Sequence, residues 1–362
     1  MDIVVRLQQR GVTSYPVHIG SGLLGRLPDI VSGIAPGRRA FLMTDSTVAR
    51  LYGRGVHHAM LLRGIETVLL DFPPGEASKS ADVVHALQTH LLAAGIQRDD
   101  IVVALGGGVV GDVAGFVAAT ILRGVRLLQV PTTVIAQLDS SVGGKVGIDH
   151  PAGKNLIGAF HHPSAVVIDP EVLASLPGPE FANGLAEGVK IAAALDASLF
   201  RWLERNKARI RARRTPALVA MISRCVGLKA AVVHKDEHES GLRKSLNLGH
   251  TIGHALEVSS GYRLPHGTAV SMGIAAESTF AVRLGLLRAH DRRRVIALLR
   301  SFGLATRLPV IRSRSRFHAA LAADKKNAGP RAAFVLLRGV GRCAIGVGVP
   351  DAFVHDLLSG RR

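Results

Sequence analysis

Across the first 170 residues, short β-type runs alternate with helical patterns, and this alternation restricts the fold more than any other feature of the chain. Candidate strands fall at 3–5, 40–43, 67–70, 101–104, 127–130 and 165–168, with helical stretches between several of them, as at 80–92 and 109–122. Strands that take turns with helices pair in parallel, because a parallel pair needs a long crossover and a helix supplies it. The pattern predicts an α/β domain with a Rossmann-like, mainly parallel sheet over residues 1–170. After Pro170 the character changes. Helical patterns run over 180–194, 218–236, 246–259, 268–284 and 290–301, and only 333–337 and 343–347 read as strands, a late hairpin. A mostly α-helical second domain is expected over residues 171–362.

The apolar run Ile101-Val102-Val103-Ala104-Leu105 leads into Gly106-Gly107-Gly108-Val109-Val110-Gly111-Asp112. Gly106, Gly108 and Gly111 satisfy G-x-G-x-x-G between a predicted strand and a predicted helix. A turn free of side chains lets backbone N–H groups and a helix N-terminus approach a pyrophosphate. The acidic residue that usually follows about 20 positions later is missing, since residues 125–136 contain no carboxylate. The loop is therefore either a tight structural turn or a dinucleotide site in a variant of the Rossmann arrangement.

Charge narrows the partners. Lys and Arg number 45 against 27 Asp and Glu, a net charge of +18, which raises the possibility of nucleic acid. One Trp and three Tyr make a poor base-stacking platform, and the arginines at 209–214, 292–294 and 312–316 read as solvated helix faces or loops. An enzyme with an anionic small-molecule substrate and no nucleic-acid partner is expected. Two cysteines, Cys225 and Cys343, cannot build a disulfide framework and fit a reducing, cytoplasmic setting. Asp2 and the absence of a long apolar run near the N-terminus argue against a signal peptide. Apolar runs such as 113–122 fall short of the ~20 residues a membrane span needs, so no membrane partner is expected.

His250 and His254 stand at i and i+4, on one face of a predicted helix. His266 follows, and upstream Glu187 and Lys190 sit three apart in an otherwise apolar helix. Three histidines and a carboxylate could give a catalytic metal three ligands and leave a position open for substrate. Sixteen histidines in the chain also make chance pairs ordinary. Lys145, Lys154, Lys229 and Arg243 lie among glycines and small residues. They suit anionic ligands, lysine as a point charge and arginine as a fork.

Extended motifs join these pieces. Arg123-Gly124-Val125, Gln129-Val130-Pro131-Thr132-Thr133, Gln137-Leu138-Asp139-Ser140-Ser141-Val142-Gly143-Gly144-Lys145 and Gly153-Lys154-Asn155-Leu156-Ile157-Gly158-Ala159-Phe160 resemble the 3-dehydroquinate synthase family. So do Lys229-Ala230, Asp236-Glu237, Gly241-Leu242-Arg243, residues 247–254, Asp324-Lys325-Lys326-Asn327 and Phe334-Val335-Leu336-Leu337. The resemblance implies a divalent metal on Glu187, His250 and His266, with zinc the best fit and cobalt also suitable. It makes His254 a phosphate or proton-relay group instead of a ligand. Catalytic roles would fall to Lys145, Lys190, Lys229, Glu239, Arg243, Asn247 and His254. Substrate would meet Asp139, Lys145, Asn155, Lys190, Lys229, Arg243, Asn247, His254 and one of Lys325 or Lys326, with Arg123 reaching across a homodimer interface. NAD would lie on Asp45, Glu76, Lys79, Gly107, Gly108, Val109, Asp112, Thr132, Thr133, Asp139 and Lys154.

By the same resemblance, the reaction is the conversion of 3-deoxy-D-arabino-heptulosonate 7-phosphate to 3-dehydroquinate and phosphate. It runs through transient oxidation by NAD, elimination, re-reduction, ring opening and aldol closure, and belongs to the shikimate pathway of aromatic amino-acid biosynthesis. A sibling cyclase of secondary metabolism using sedoheptulose 7-phosphate or an amino analogue, or a metal-dependent alcohol dehydrogenase, are the alternatives. The chain departs from the family pattern in four places: Ser175-Leu176-Pro177-Gly178-Pro179-Glu180 lacks an arginine, Ile191-Ala192 replaces Tyr-Gly, Thr268 replaces a glutamate, and Asp149 replaces an asparagine.

Overall fold

The computed structural model describes residues 1–6, 14–311, 313–326 and 333–359, the side chains of 323–326 excepted. The chain divides into two compact units, Met1–Leu176 with Lys229–His234, and Pro177–Leu228 with Lys235–Arg362.

The first unit runs β1 (Asp2–Arg6), β2 (Ser14–Ile19), α1 (Leu27–Ile34), β3 (Ala40–Asp45), α2 (Ser46–Val48), α3 (Arg54–Leu62), β4 (Thr67–Phe72) and α4 (Ala81–Ala93). It continues with β5 (Ile101–Gly106), α5 (Gly108–Thr120), β6 (Arg126–Pro131), β7 (Lys145–His150), β8 (Gly153–Phe160) and β9 (Ala165–Ile168). Seven strands form one sheet in the order β1-β2-β9-β6-β5-β3-β4. Every pair in it is parallel except β1 with β2. The apolar runs are continuous because both faces are covered. Phe41, Met43, Val102, Ala104 and Leu127 pack under Leu87 and Leu91 of α4 and Val113 and Val117 of α5. Their alternates Ala40, Leu42, Ile101, Val103 and Leu128 pack under Val31 of α1 and Val56 and Met60 of α3. The hairpin β7–β8 forms a separate two-stranded sheet. It is missing from the predicted strands because β8 is mostly exposed and carries no continuous buried run.

The second unit is helical, as expected: α6 (Gly178–Leu195), α7 (Ala197–Arg211), α8 (Thr215–Lys235, of which Lys229–His234 belongs to the first unit), a 3-10 segment Leu242–Asn247, α9 (His250–Ser259), α10 (His266–Arg283), α11 (Ala289–Ser301), α12 (Arg314–Lys326) and α13 (Asp351–Leu358). The late hairpin is β10 (Ala333–Gly339) with β11 (Arg342–Gly348). α8 corrects the reading that apolar runs are too short to span a membrane. It is long and apolar enough by length and composition, but 61% of its apolar window is buried inside the protein, as in a core helix. The single helix predicted at 246–259 is two elements. Gly249 breaks it with φ +81, and a Cβ there would stand 2.5 Å from Ile274 Cγ1 and 2.7 Å from the Val270 carbonyl, so only glycine fits.

Candidate active site

In the first unit, β3, β4, β5, β6 and β9 follow a doubly wound order that reverses direction between β3 and β5. Open α/β sheets bind ligands at the carboxyl ends of the strands at such a reversal. Asp45 closes β3, and its Oδ1 accepts hydrogen bonds from the N–H groups of Thr47 and Val48, both at 2.9 Å. Gly106 closes β5, and Gly107 precedes α5 with no side-chain cap. Packing accounts for two of the loop glycines. A Cβ on Gly106 would collide with the Val110 side chain, and one on Gly111 would stand 2.9 Å from Gln129 Oε1. Gly107 and Gly108 are different, because their Cβ atoms would enter the space bordered by Thr133 (3.0 Å) and Ser140 (3.3 Å). None of these four has a positive φ, so close approach, not backbone conformation, is what calls for glycine here. Val109 lies in the first turn of α5, and the Thr132 N–H donates to the Gly106 carbonyl at 2.8 Å. The strand beside β5 at the reversal is β3, which ends in Asp45, earlier in the chain than the glycine loop.

A charged cluster lies in the same unit. The Lys79 ammonium, 5% exposed, meets Asp112 Oδ2 at 2.8 Å and also donates to Asn155 Oδ1. Lys154 pairs with Glu76 at 3.0 Å. Burial raises the Asp112 carboxyl above its ordinary value against the opposing pull of Lys79. Asn155, expected on the substrate, is thus held with residues expected on the cofactor. Its φ of +54 suits asparagine, and its N–H donates to Asp149 Oδ1 at 2.9 Å. Lys229, buried, pairs with the Asp139 carboxylate and donates to its carbonyl at 2.5 Å. Lys145 opens β7 and Arg123 ends a 3-10 turn, both exposed.

In the second unit, ligand atoms of Glu187, His250 and His266 lie within 4.8 Å of one another. α6 supplies Glu187, α9 His250, and His266 opens α10. Glu187 is 1% exposed, with Oε1 3.3 Å from His266 Nε2 and 3.8 Å from His250 Nε2. Its Oε2 abuts the Lys190 ammonium. Neither oxygen is met in hydrogen-bonding geometry, so the buried charge is balanced by the Lys190 ion pair while the carboxylate keeps acceptor capacity for a further ligand. Two imidazole nitrogens facing an unsatisfied carboxylate are the donor set of an open zinc site, so these residues fit a divalent metal. Burial, then the charge of Lys190, pushes His250 well below its ordinary value, keeping it neutral as a ligand must be. Burial also opposes the charge on His266, but Glu187 and Glu257 outweigh it and raise that group to about 10. His254 is exposed, its ring 5.1 Å from that of His250 and edge-on to it. It shares a second grouping with Glu257 and His266.

Arg243, 4% exposed, donates to the Glu237 carbonyl, and Asn247 Nδ2 donates to Glu239 Oε1 at 2.6 Å. Glu239 has φ +60. The side chains of Lys325 and Lys326 lie outside the described residues. Four supporting residues have no role in the sequence reading, although Asp236 stands in one of its motifs. Glu257 accepts from His266 Nδ1 at 3.3 Å. Asn183 Oδ1 accepts the Thr268 N–H at 3.1 Å at the start of α10. Asp236 accepts N–H bonds from Ser240, Gly241 and Arg243 at 2.9, 2.8 and 2.8 Å. Glu277 accepts from the N–H groups of Gly249 and Ile252 at 2.5 and 3.3 Å, placing negative charge at the start of α9. Glu257 had a readable signal, standing at i+7 from His250 on the same helix face, and Asp236 had one in the Asp236-Glu237 motif.

Residues 69–183 match the family 3-dehydroquinate synthase N-terminal, and residues 184–327 match 3-dehydroquinate synthase C-terminal. The chain belongs to the 3-dehydroquinate synthase family. It is 44% identical over 336 residues to the 3-dehydroquinate synthase of Geobacter metallireducens, which covers 92% of this chain and 93% of the relative. With that of Bordetella pertussis it shares 42% over 359 residues, 99% of each chain. Among solved structures, the 2-epi-5-epi-valiolone synthase of Streptomyces hygroscopicus subsp. jinggangensis, with NAD+ and Zn2+ bound, superposes with a TM-score of 0.90 at 28% identity. That match covers 98% of this chain and 99% of the other.

Proposed function

We propose that this chain is a 3-dehydroquinate synthase, using NAD and a divalent metal, zinc by preference, to convert 3-deoxy-D-arabino-heptulosonate 7-phosphate to 3-dehydroquinate and phosphate. The observation that carries the reading is the buried, unsatisfied Glu187 carboxylate facing His250 and His266, in a chain aligned nearly end to end with synthases of that name. NAD would lie over Gly107 and Gly108 with Asp45, Thr132 and Thr133 at its edges, and the metal would be held by Glu187, His250 and His266. When bound, NAD supplies a reversible hydride acceptor and the metal a Lewis acid for oxygens at the oxidised carbon. Lys190, buried against Glu187, supplies a fixed positive charge beside those oxygens. Arg243 and Asn247, set on one 3-10 segment, would orient the substrate, while Lys145 and Lys229 would bind its anionic groups. His254, exposed beside the triad, would hold or pass a proton near the phosphate. The hydride removed is returned within the turnover, so the net reaction is an elimination and ring closure with no net redox change.

The four departures sit in supporting positions. Ile191 and Ala192 are both fully buried, Asp149 keeps an acceptor for the Asn155 N–H, Ser175 Oγ accepts from Tyr52 Oη at 2.7 Å, and Thr268 is held through its backbone N–H. They leave room for a sibling cyclase, but the segments that siblings using other sugar phosphates typically alter, Asp139-Ser140-Ser141-Val142-Gly143-Gly144-Lys145 and Gly241-Leu242-Arg243, are intact, and this favours dehydroquinate formation. A homodimer in the cytoplasm is the setting we propose. The test is phosphate release from 3-deoxy-D-arabino-heptulosonate 7-phosphate by purified protein with NAD+ and zinc. Phosphate without accumulating NADH, abolished by a chelator, is expected. Release from sedoheptulose 7-phosphate only would mean a sibling cyclase, and stoichiometric NADH a dehydrogenase.

A further inference from the structure

Two left-handed turns in the first unit carry cations. Leu122, Arg123 and Gly124 have φ of 49°, 66° and 118°, and Gly143 and Gly144, just before Lys145, have φ of 104° and 68°. Two successive non-glycine residues in that region hold only where their surroundings fix them. One residue after β8 touches both turns. The His161 backbone N–H donates to the Gly144 carbonyl at 2.7 Å, and its ring Nε2 lies 2.9 Å from the Val125 carbonyl. Burial holds the His161 ring below its ordinary value, so near neutral pH the ring is uncharged, with its single proton on Nε2 facing that carbonyl. The ring also stands 3.8 Å from where a Gly124 Cβ would be, so it packs against the turn it bonds. The second turn is held from its other side by Tyr15, 1% exposed, whose hydroxyl accepts the Gly143 N–H at 3.0 Å.

We infer that His161 is a positioning residue for phosphate recognition, fixing the Arg123 turn through its ring and the Lys145 turn through its backbone. The inference rests on the expectations above that Lys145 meets the substrate's anionic groups and that Arg123 reaches the substrate across a homodimer interface. The hydrogen bonds described for His161 go to Gly144 and Val125, the two cation-bearing turns and not the glycine loop, so its loss is expected to act on the anion and spare the dinucleotide. The test is calorimetric titration of inorganic phosphate and, separately, NAD+ into the zinc-loaded protein, for the wild type and for H161A, H161Q, H161F, R123A and K145A. R123A and K145A are expected to weaken phosphate binding. H161A and H161F should weaken it about tenfold, the change an ordinary hydrogen bond carries, with NAD+ affinity and melting temperature close to wild type. H161Q, which can still donate to Val125, should recover most of the loss. H161F preserves ring volume and keeps the test open if H161A folds poorly. Wild-type phosphate affinity in H161F, or parallel loss of phosphate and NAD+ binding, overturns the proposal alone. Unchanged phosphate affinity in both R123A and K145A overturns the underlying reading, and the proposal with it.

Discussion

Glu257 meets Nδ1 of His266 from a buried position, while Nε2 of the same ring faces Glu187. A carboxylate on one ring nitrogen fixes the tautomer and aims the other at a metal. E257Q should weaken equilibrium zinc affinity about 10–100-fold, measured by competition with a chromogenic chelator, while the fold survives. Zinc affinity equal to wild type would mean that Glu257 serves packing only. The residue also marks where reading the sequence stops. Its i+7 spacing from His250 was available, but spacing alone equally favours His254, and the carboxylate that gathers the histidines comes from α6, more than 60 positions upstream. Periodicity can place side chains on one face of a helix, but not which neighbouring helix completes the site.

At the scale of elements, the segment that presents Arg243 and Asn247 is organised by Asp236. Burial raises its carboxyl, but the N–H bonds from Arg243, Gly241 and Ser240 prevail and bring it from 3.8 to about 2. A group lowered on folding stabilises the native state above its unfolded value and loses that contribution as pH falls toward its folded one. Wild type should therefore melt well above D236N at pH 6, and the gap should close between pH 4 and pH 2. A gap that stays constant through that range would show that the carboxylate's charge contributes nothing. The motif here was visible in the sequence, but its architecture was not. Apolar residues at 246, 248 and 252 continue a helical pattern through Gly249, and the break is imposed from outside, by Val270 and Ile274 of α10 at the site of a missing side chain. The parallel sheet was legible for the opposite reason, since strands covered on both faces must be apolar at every position, as Ala40–Asp45 nearly is.

For the whole molecule, the two ligand sets fall in different compact units: Asp45 and the glycine loop in the first, and Glu187, His250 and His266 in the second. A ligand that binds only the native state, at about 100 times its Kd, stabilises the region it organises by about 2.7 kcal/mol, which slows amide exchange through that opening about 100-fold. Zinc should therefore protect α6, α9 and the start of α10, and NAD+ the end of β3 and the first turns of α5, each leaving the other set largely unchanged. Peptide-level hydrogen exchange on the chelator-treated protein, with zinc and NAD+ added singly, reads this directly. The zinc effect should be the larger, because without a metal Glu187 is buried with neither oxygen in hydrogen-bonding geometry, its charge met by the Lys190 ion pair, and three carboxylate and imidazole groups must share a small space. In the glycine loop, by contrast, Gly107 and Gly108 already follow regular backbone into α5. Protection by zinc confined to the first unit would remove the metal from Glu187, His250 and His266. Protection of both units by either ligand alone would instead mean that the two sites are energetically linked.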